Sequence, residues 1–257
     1  MAEAAPPAAQ NPYIALRNVW KAFDSPVLED CSFHLSAGET LGIIGRSGVG
    51  KSVTLSHLMG FLRPDRGRVI VAHEDITDYA ESELTRIRKK VTMVFQSGAL
   101  FDSLTVGGNV AFALENRSDY TPDNVDDVVR GLLEMVEIPE YSNAFPSELS
   151  TGLKRAVAIA RALAAQPDAI LYDEPTTMVD PLMSAHIGNL ILRLKEHMRL
   201  TSVVVTHDLN LLRKVADQVV FLHDCRVIFF GPLAELERAG HPHIQEFLAL
   251  DRFQPVA

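Results

Sequence analysis

Two segments near the start of the chain, 13–23 (YIALRNVWKAF) and 27–35 (VLEDCSFHL), partly alternate apolar with polar positions. That is the period of half-buried strands. The runs TLGIIG (40–45), VTMVF (91–95), AILYD (169–173), SVVVTHD (202–208) and QVVFLHD (218–224) are dominated by apolar residues up to their last positions. Such runs, rich in Val and Ile and separated by helical segments, predict parallel strands buried on both faces. Helical periodicity covers 52–62, 82–90, 125–136, 152–165, 181–198 and 209–216, with Pro167 and Pro181 where helices end or start. Between 97 and 165 several helical patterns follow one another with no convincing strand, which predicts a helical subdomain inserted into an α/β core. Two further helical stretches, 233–239 and 243–250, predict a short tail.

Composition narrows this picture. With 257 residues, 47% of them hydrophobic, the chain has ample material for a core, and disorder over most of its length is excluded. The formal net charge of −9 argues against wholesale nucleic-acid binding, which needs clustered Lys and Arg, and no nucleic-acid partner is expected. Cys31 and Cys225 are the only cysteines, a usage that reads as a reducing compartment and excludes a four-cysteine zinc site. No charge-free run reaches the roughly 18 apolar residues of a membrane span, and the first residues lack the basic and apolar regions of a secretory signal. Residues 1–12 read as a disordered lead and the chain as soluble and cytoplasmic, which leaves room for docking on a membrane protein.

The strongest local signal is Gly45-Arg46-Ser47-Gly48-Val49-Gly50-Lys51-Ser52, which matches G-x-x-x-x-G-K-[ST] after an apolar strand and before a helical pattern. Glycines let consecutive backbone N–H groups wrap an anion, and the helix start adds the positive end of its dipole. Lys51 is expected to reach the β- and γ-phosphates of a nucleotide and Ser52 to ligate Mg²⁺. The motif alone does not choose between ATPase, kinase and GTPase. No N-K-x-D guanine-reading motif occurs, and the run TRIRKK reads as a solvated helix face rather than a kinase lid.

Three further strand ends carry chemistry. Asp173 and Glu174 close AILYDE; in phosphate-loop enzymes such an Asp holds Mg²⁺ and the Glu can polarise the attacking water. Gln96 closes VTMVFQ, where an amide can also ligate Mg²⁺, and His207 closes SVVVTH, where an imidazole can bond a γ-phosphate oxygen and orient Glu174's water.

In their order along the chain, the phosphate loop, Gln96, the segment Leu149-Ser150-Thr151-Gly152-Leu153, Asp173-Glu174 and His207 resemble the ATP-binding subunit of ABC transporters over roughly 13–231. The resemblance implies a phosphate-loop NTPase fold of the α/β class: a RecA-like parallel-sheet core (13–96 and 166–231), an N-terminal antiparallel β subdomain, the helical subdomain (97–165) and a helical C-terminal tail (232–257). It implies that Phe23 stacks on adenine. It implies that Leu149, Ser150, Thr151 and Gly152 form a signature acting on ATP bound by the opposite subunit, and that Asp180 belongs to a loop crossing the dimer interface. ATP and Mg²⁺ are the implied cofactors. A homodimer or pseudo-homodimer and a separate integral-membrane permease, contacting 96–114, are the implied partners, which places the chain at the cytoplasmic side of the inner membrane.

A narrower resemblance, carried by MVFQSGALFDSLTVGGNVAFAL, by Val53 and by the ending HIQEFLALD, points to the MlaF-type ATPases of MCE-linked phospholipid transport. It adds an MCE-type substrate-binding protein and a small regulatory subunit as implied partners. The alternatives are an ABC importer or exporter for another cargo and a low-turnover subunit of a heterodimeric transporter. Thr151 stands where the family signature has glycine and Leu153 where it has Gln or Met; Met178-Val179 replace Gly-Leu and Cys225 a turn glycine. These departures bear on the shared site rather than on the phosphate loop.

Overall fold

The computed structural model describes residues 11–114 and 122–252, so the expected lead falls almost wholly outside it. The first half runs β1 (Ile14–Ala22), β2 (Pro26–Leu35), β3 (Thr40–Ile44), α1 (Lys51–Leu58), β4 (Arg66–Val71), β5 (Glu74–Asp75), α2 (Glu81–Lys90), β6 (Val91–Val94) and α3 (Val106–Phe112). The second runs α4 (Pro122–Met135), two single 3₁₀ turns, α5 (Thr151–Ala164), β7 (Ala169–Asp173), α6 (Pro181–Met198), β8 (Thr201–Val205), α7 (Leu209–Val215), β9 (Gln218–His223), β10 (Arg226–Pro232), α8 (Leu233–Arg238) and α9 (Pro242–Arg252).

Two sheets result. The first has the order β2-β1-β4-β5 and is antiparallel throughout; the second has the order β10-β9-β3-β8-β7-β6. In the second sheet every pair from β9 to β6 is parallel, and only β10 joins antiparallel. β3 and β8 are buried at every position, which is why they read as unbroken apolar runs rather than alternating ones. β3 lies between β8 and β9, so the loop leaving its C-terminal end opens between neighbouring strand ends, where open α/β sheets bind ligands.

One core joins α3, α4, α5 and α6 to one face of the parallel sheet; a second joins the antiparallel sheet and α1 to the other face. A third, smaller core carries α7, α8 and α9 against Ile44, Val219 and Phe221. The helical stretch between β6 and β7 and the mixed sheets fit the expected α/β fold with an antiparallel subdomain.

Four elements go beyond the pattern reading. β4 opens Arg-Gly-Arg and β5 is two residues long, so neither shows alternation. β10 follows β9 through a two-residue turn at Asp224 and Cys225, both in the left-handed region. α3 contains Gly107 and Gly108, poor helix formers, and tertiary bonds hold it. Thr105 caps it through the Gly108 amide at 3.1 Å, and buried Asn109 accepts from the Phe101 amide and donates to the Phe101 carbonyl.

Candidate functional site

The phosphate loop departs from the end of β3 at Gly45, whose φ of 149° and setting exclude a side chain: a Cβ there would meet the Leu222 carbonyl oxygen at 2.3 Å. The loop enters α1 at Gly50, also at positive φ. Val49 turns into the core beneath. Lys51 folds back over the loop, and its ammonium donates to the carbonyls of Gly45 at 2.8 Å and Arg46 at 3.1 Å. Burial pushes its pKa below the ordinary lysine value, against the pull of the Glu174 and Asp173 carboxylates. The Ser52 hydroxyl donates to Asp173 Oδ1 at 3.3 Å.

Glu174 sits one residue beyond β7 with φ 49°, a left-handed backbone unusual for glutamate and held by its amide bond to the Val205 carbonyl at 2.9 Å. The turn aims the carboxylate back over the loop. Oε1 lies 3.9 Å from the Lys51 ammonium; Oε2 accepts from His207 Nδ1 at 2.8 Å and from the Thr177 hydroxyl at 3.0 Å. Burial alone would raise this carboxyl, but the His207 bond and charge, the Thr177 hydroxyl and Lys51 outweigh it and hold it below its ordinary value. His207 is raised in return, chiefly by its bond to Glu174. Asp173 moves the other way: burial raises it, and the Ser52 hydroxyl, Lys51 and Arg155 only partly offset that.

These groups share an open cleft of about 600 Å³ whose walls include Gly45 to Gly48, Lys51, Ser52, Gln96, Glu174 and His207. The structure therefore brings together the loop, Gln96, Glu174 and His207 in one cleft, with Asp173 bonded to Ser52. Phe23 is elsewhere: it is 57% exposed, with the Lys21 ammonium 5.5 Å from its ring centroid, and does not line the cleft.

The segment 149–152 and Asp180 form a second cluster outside that cleft. Leu149 is buried. Ser150 caps α5 by accepting from the Leu153 amide at 3.3 Å, Thr151 is exposed, and a Cβ on Gly152 would meet Met183 Cβ at 2.7 Å. Met183 lies in the first turn of α6, which Asp180 caps by accepting from the Met183 amide at 2.9 Å. The two helix starts thus pack on each other.

Thr177, which bonds Glu174, is not among the residues the sequence pattern points to, although a second hydroxyl directly after Asp-Glu-Pro is its signal. Phe247 of α9 also lines the cleft, and nothing in the tail's pattern announces it. Arg155 and Arg161 of α5 hold the segment after β6: Arg155 donates to the Phe95 carbonyl, and Arg161 to those of Ala99 and Gly98.

A hydroxyl, a carboxylate and an amide at Ser52, Asp173 and Gln96 are hard oxygen donors beside the glycine-rich loop. They fit Mg²⁺, which takes few protein ligands and shares the rest with phosphate and water.

The ABC transporter family model matches residues 28–177. The chain is 34% identical over 244 residues to an intermembrane phospholipid transport ATP-binding protein, MlaF, of Haemophilus influenzae, covering 95% of this chain and 92% of that protein. It is equally similar, at 34%, to a probable ribonucleotide transport ATP-binding protein of Mycobacterium leprae (95% of this chain, 70% of the relative) and to a methionine import ATP-binding protein of Pseudomonas entomophila (93% and 73%). Among solved structures, it resembles the ATP-binding cassette MJ0796, dimeric and bound to ADP and Pi, with 32% identity and a TM-score of 0.78 over 86% of this chain and 98% of that one. With the loop, the acidic strand end and the histidine assembled in this fold, the chain belongs to the ABC transporter family, as an ATP-binding subunit.

Proposed function

We propose that the chain binds ATP with Mg²⁺ in the cleft, hydrolyses it as one of two paired copies, and drives a membrane permease that moves phospholipid. The observation that carries the ATPase reading is the Glu174–His207 pair above Lys51, with the Ser52–Asp173 bond beside it. The loop amides and Lys51 would take the triphosphate. Ser52, Asp173 and Gln96 would hold Mg²⁺, which supplies charge neutralisation on the phosphate oxygens. Glu174, ionised at neutral pH, is placed to take a proton from an attacking water while the bond from the γ-phosphorus to the bridging oxygen breaks and ADP leaves. His207 orients Glu174 through Nδ1–H; in its protonated form, which the bond to Glu174 favours, it also offers Nε2–H to a phosphate oxygen.

Pairing is supported by the separate second cluster, in which the family resemblance assigns 149–152 to the partner's nucleotide and Asp180 to a loop crossing the interface, and by the dimeric MJ0796 cassette. Phe23, exposed at the end of β1, is the proposed adenine contact. The segment 96–114, with Phe101 and Phe112 exposed and Phe95 exposed just before it, is the proposed permease contact. Among the described residues no helix is long and apolar enough to cross a membrane; the proposed permease is an integral-membrane partner met from the cytoplasmic side. An MCE-type substrate-binding protein and a small regulatory subunit complete the phospholipid reading.

Phospholipid cargo rests on the permease-contact segment and the MlaF relative; methionine import is the second reading, favoured by a relative of equal identity. The test is purification of the native complex from membranes with its cargo. Mg-dependent ATPase activity with co-purified phospholipid supports the full reading. Activity with a small polar solute bound instead keeps the ATPase and replaces the cargo, and a complex that binds ATP without turnover leaves a nucleotide-binding subunit alone.

A further inference from the structure

The C-terminal helix reaches the phosphate loop. Ile244 and Leu248 of α9, one turn apart, are buried beside Ile44, the residue that feeds Gly45. Phe247 shares that face: its ring stands edge-on to Phe221 at 5.2 Å, and its other side lines the cleft. Next to it Glu246 accepts from Arg46, the second residue of the loop, at 2.6 Å. At the start of α9, His243 stacks on His223 at the end of β9, ring centroids 3.9 Å apart. Three different ties therefore fix this helix at the rim of the cleft.

We propose that α9 is a wall of the nucleotide site: Phe247 touches the bound nucleoside triphosphate, and Glu246 is a positioning residue that holds Arg46 and the helix in place. The proposal rests on the reading of the cleft as an ATP site. Its carrying observation is that Phe247 lines the same cleft as the loop, Lys51 and Glu174, and is, apart from the His207 imidazole, the one aromatic wall side chain among the described residues. A phenyl ring offers neither charge nor hydrogen bond. Its contribution is apolar contact, beside the base stacking proposed for Phe23, and it does not discriminate triphosphate from diphosphate.

The test is calorimetric binding of MgATP and MgADP to the full chain. Phe247→Ala is expected to weaken both by about the same factor, on the order of five- to tenfold. Phe247→Leu, which keeps bulk against Phe221, should fall between that variant and the unaltered chain. In a Trp20→Phe background, Phe247→Trp should report saturation with MgATP by a change in emission, and that change should vanish when Lys51→Ala is added. Glu246→Gln, on an exposed pair that cannot unfold the core, should weaken binding two- to threefold and shrink the emission change. ATP affinity within twofold of the unaltered chain in Phe247→Ala, together with an unmoved emission of the Phe247→Trp variant at saturation, would overturn the proposal while leaving the ATP site intact. Absence of ATP binding by the unaltered chain would remove the ATP-site reading itself, a separate and visible failure.

Discussion

The chain carries two polar clusters at helix starts, and they differ in how much of their bonding is already made. Around α1, Lys51, Ser52, Asp173, Glu174, Thr177 and His207 come from three strand ends and bond one another across the cleft. At the start of α5, Ser150 spends its hydroxyl on its own helix and Thr151 stands exposed. The first cluster is bonded within one chain, and it is the one proposed to bind and orient the nucleotide there. The second is a capped helix start with one exposed hydroxyl at Thr151 and, among the described residues, no bond to the first cluster's carboxylates or lysine, so the role proposed for it needs a partner chain. The contrast separates what one chain should do from what a pair of chains should do, and substitutions can sharpen or break it.

The largest effect is expected at Glu174. Glu174→Gln keeps shape but cannot take a proton, and turnover should fall by about 10²–10⁴-fold while ATP still binds; light scattering should then find an ATP-held dimer. Normal turnover would remove the role given to the carboxylate. Lys51→Ala deletes a buried cation facing the loop, and calorimetry should show ATP affinity lower by on the order of 100-fold, about 3 kcal/mol. An unchanged affinity would detach the loop from nucleotide binding altogether.

The Glu174–His207 bond makes a pH prediction. His207 is raised above its ordinary 6.5, so its contribution to stability is complete below that value and is lost as pH rises through the higher folded one. Glu174 is held below its ordinary 4.5, so its contribution is present above that value and is lost as pH falls through the folded one. The pair is therefore strongest with Glu174 ionised and His207 protonated, at about pH 5–6. The melting-temperature gap between the unaltered chain and His207→Ala should be wider at about pH 5.5 than at about pH 8.5; equal gaps would mean that the bond does not couple the two titrations.

The smallest effect belongs to the second cluster. Ser150→Ala removes a helix cap, and scanning calorimetry should show about 1 kcal/mol less stability. ATP affinity of the single chain should not move, but turnover should drop. Lost affinity would show that the two clusters are not separate within one chain.

Much of the first cluster is legible in the sequence because its residues sit at strand ends, and strands buried on both faces announce themselves as apolar runs. The loop, Asp173-Glu174, Gln96 and His207 all follow such runs. What stays hidden depends on tertiary contact. Two glycines mask α3, whose stability comes from the bonds of buried Asn109. Arginines mask β4. Cys225 stands where the family has a turn glycine, and the structure keeps the left-handed turn, φ 64°, with a cysteine whose thiol donates to the Pro26 carbonyl at 3.3 Å. Phe247 is hidden more deeply, because its place at the cleft depends on how the last helix folds back across β9.

The Lys51 ammonium, bonded to the carbonyls of Gly45 and Arg46, has one more consequence. The two bonds tie the loop to its own lysine, so the entropy of ordering those residues is part of the cost of folding. A nucleotide bound as proposed would exchange those two carbonyl acceptors for phosphate oxygens, with no segment left to fold. On the proposed reading, encounter should be limited by diffusion and charge rather than by loop closure, which would leave the slow steps to the meeting and parting of paired chains.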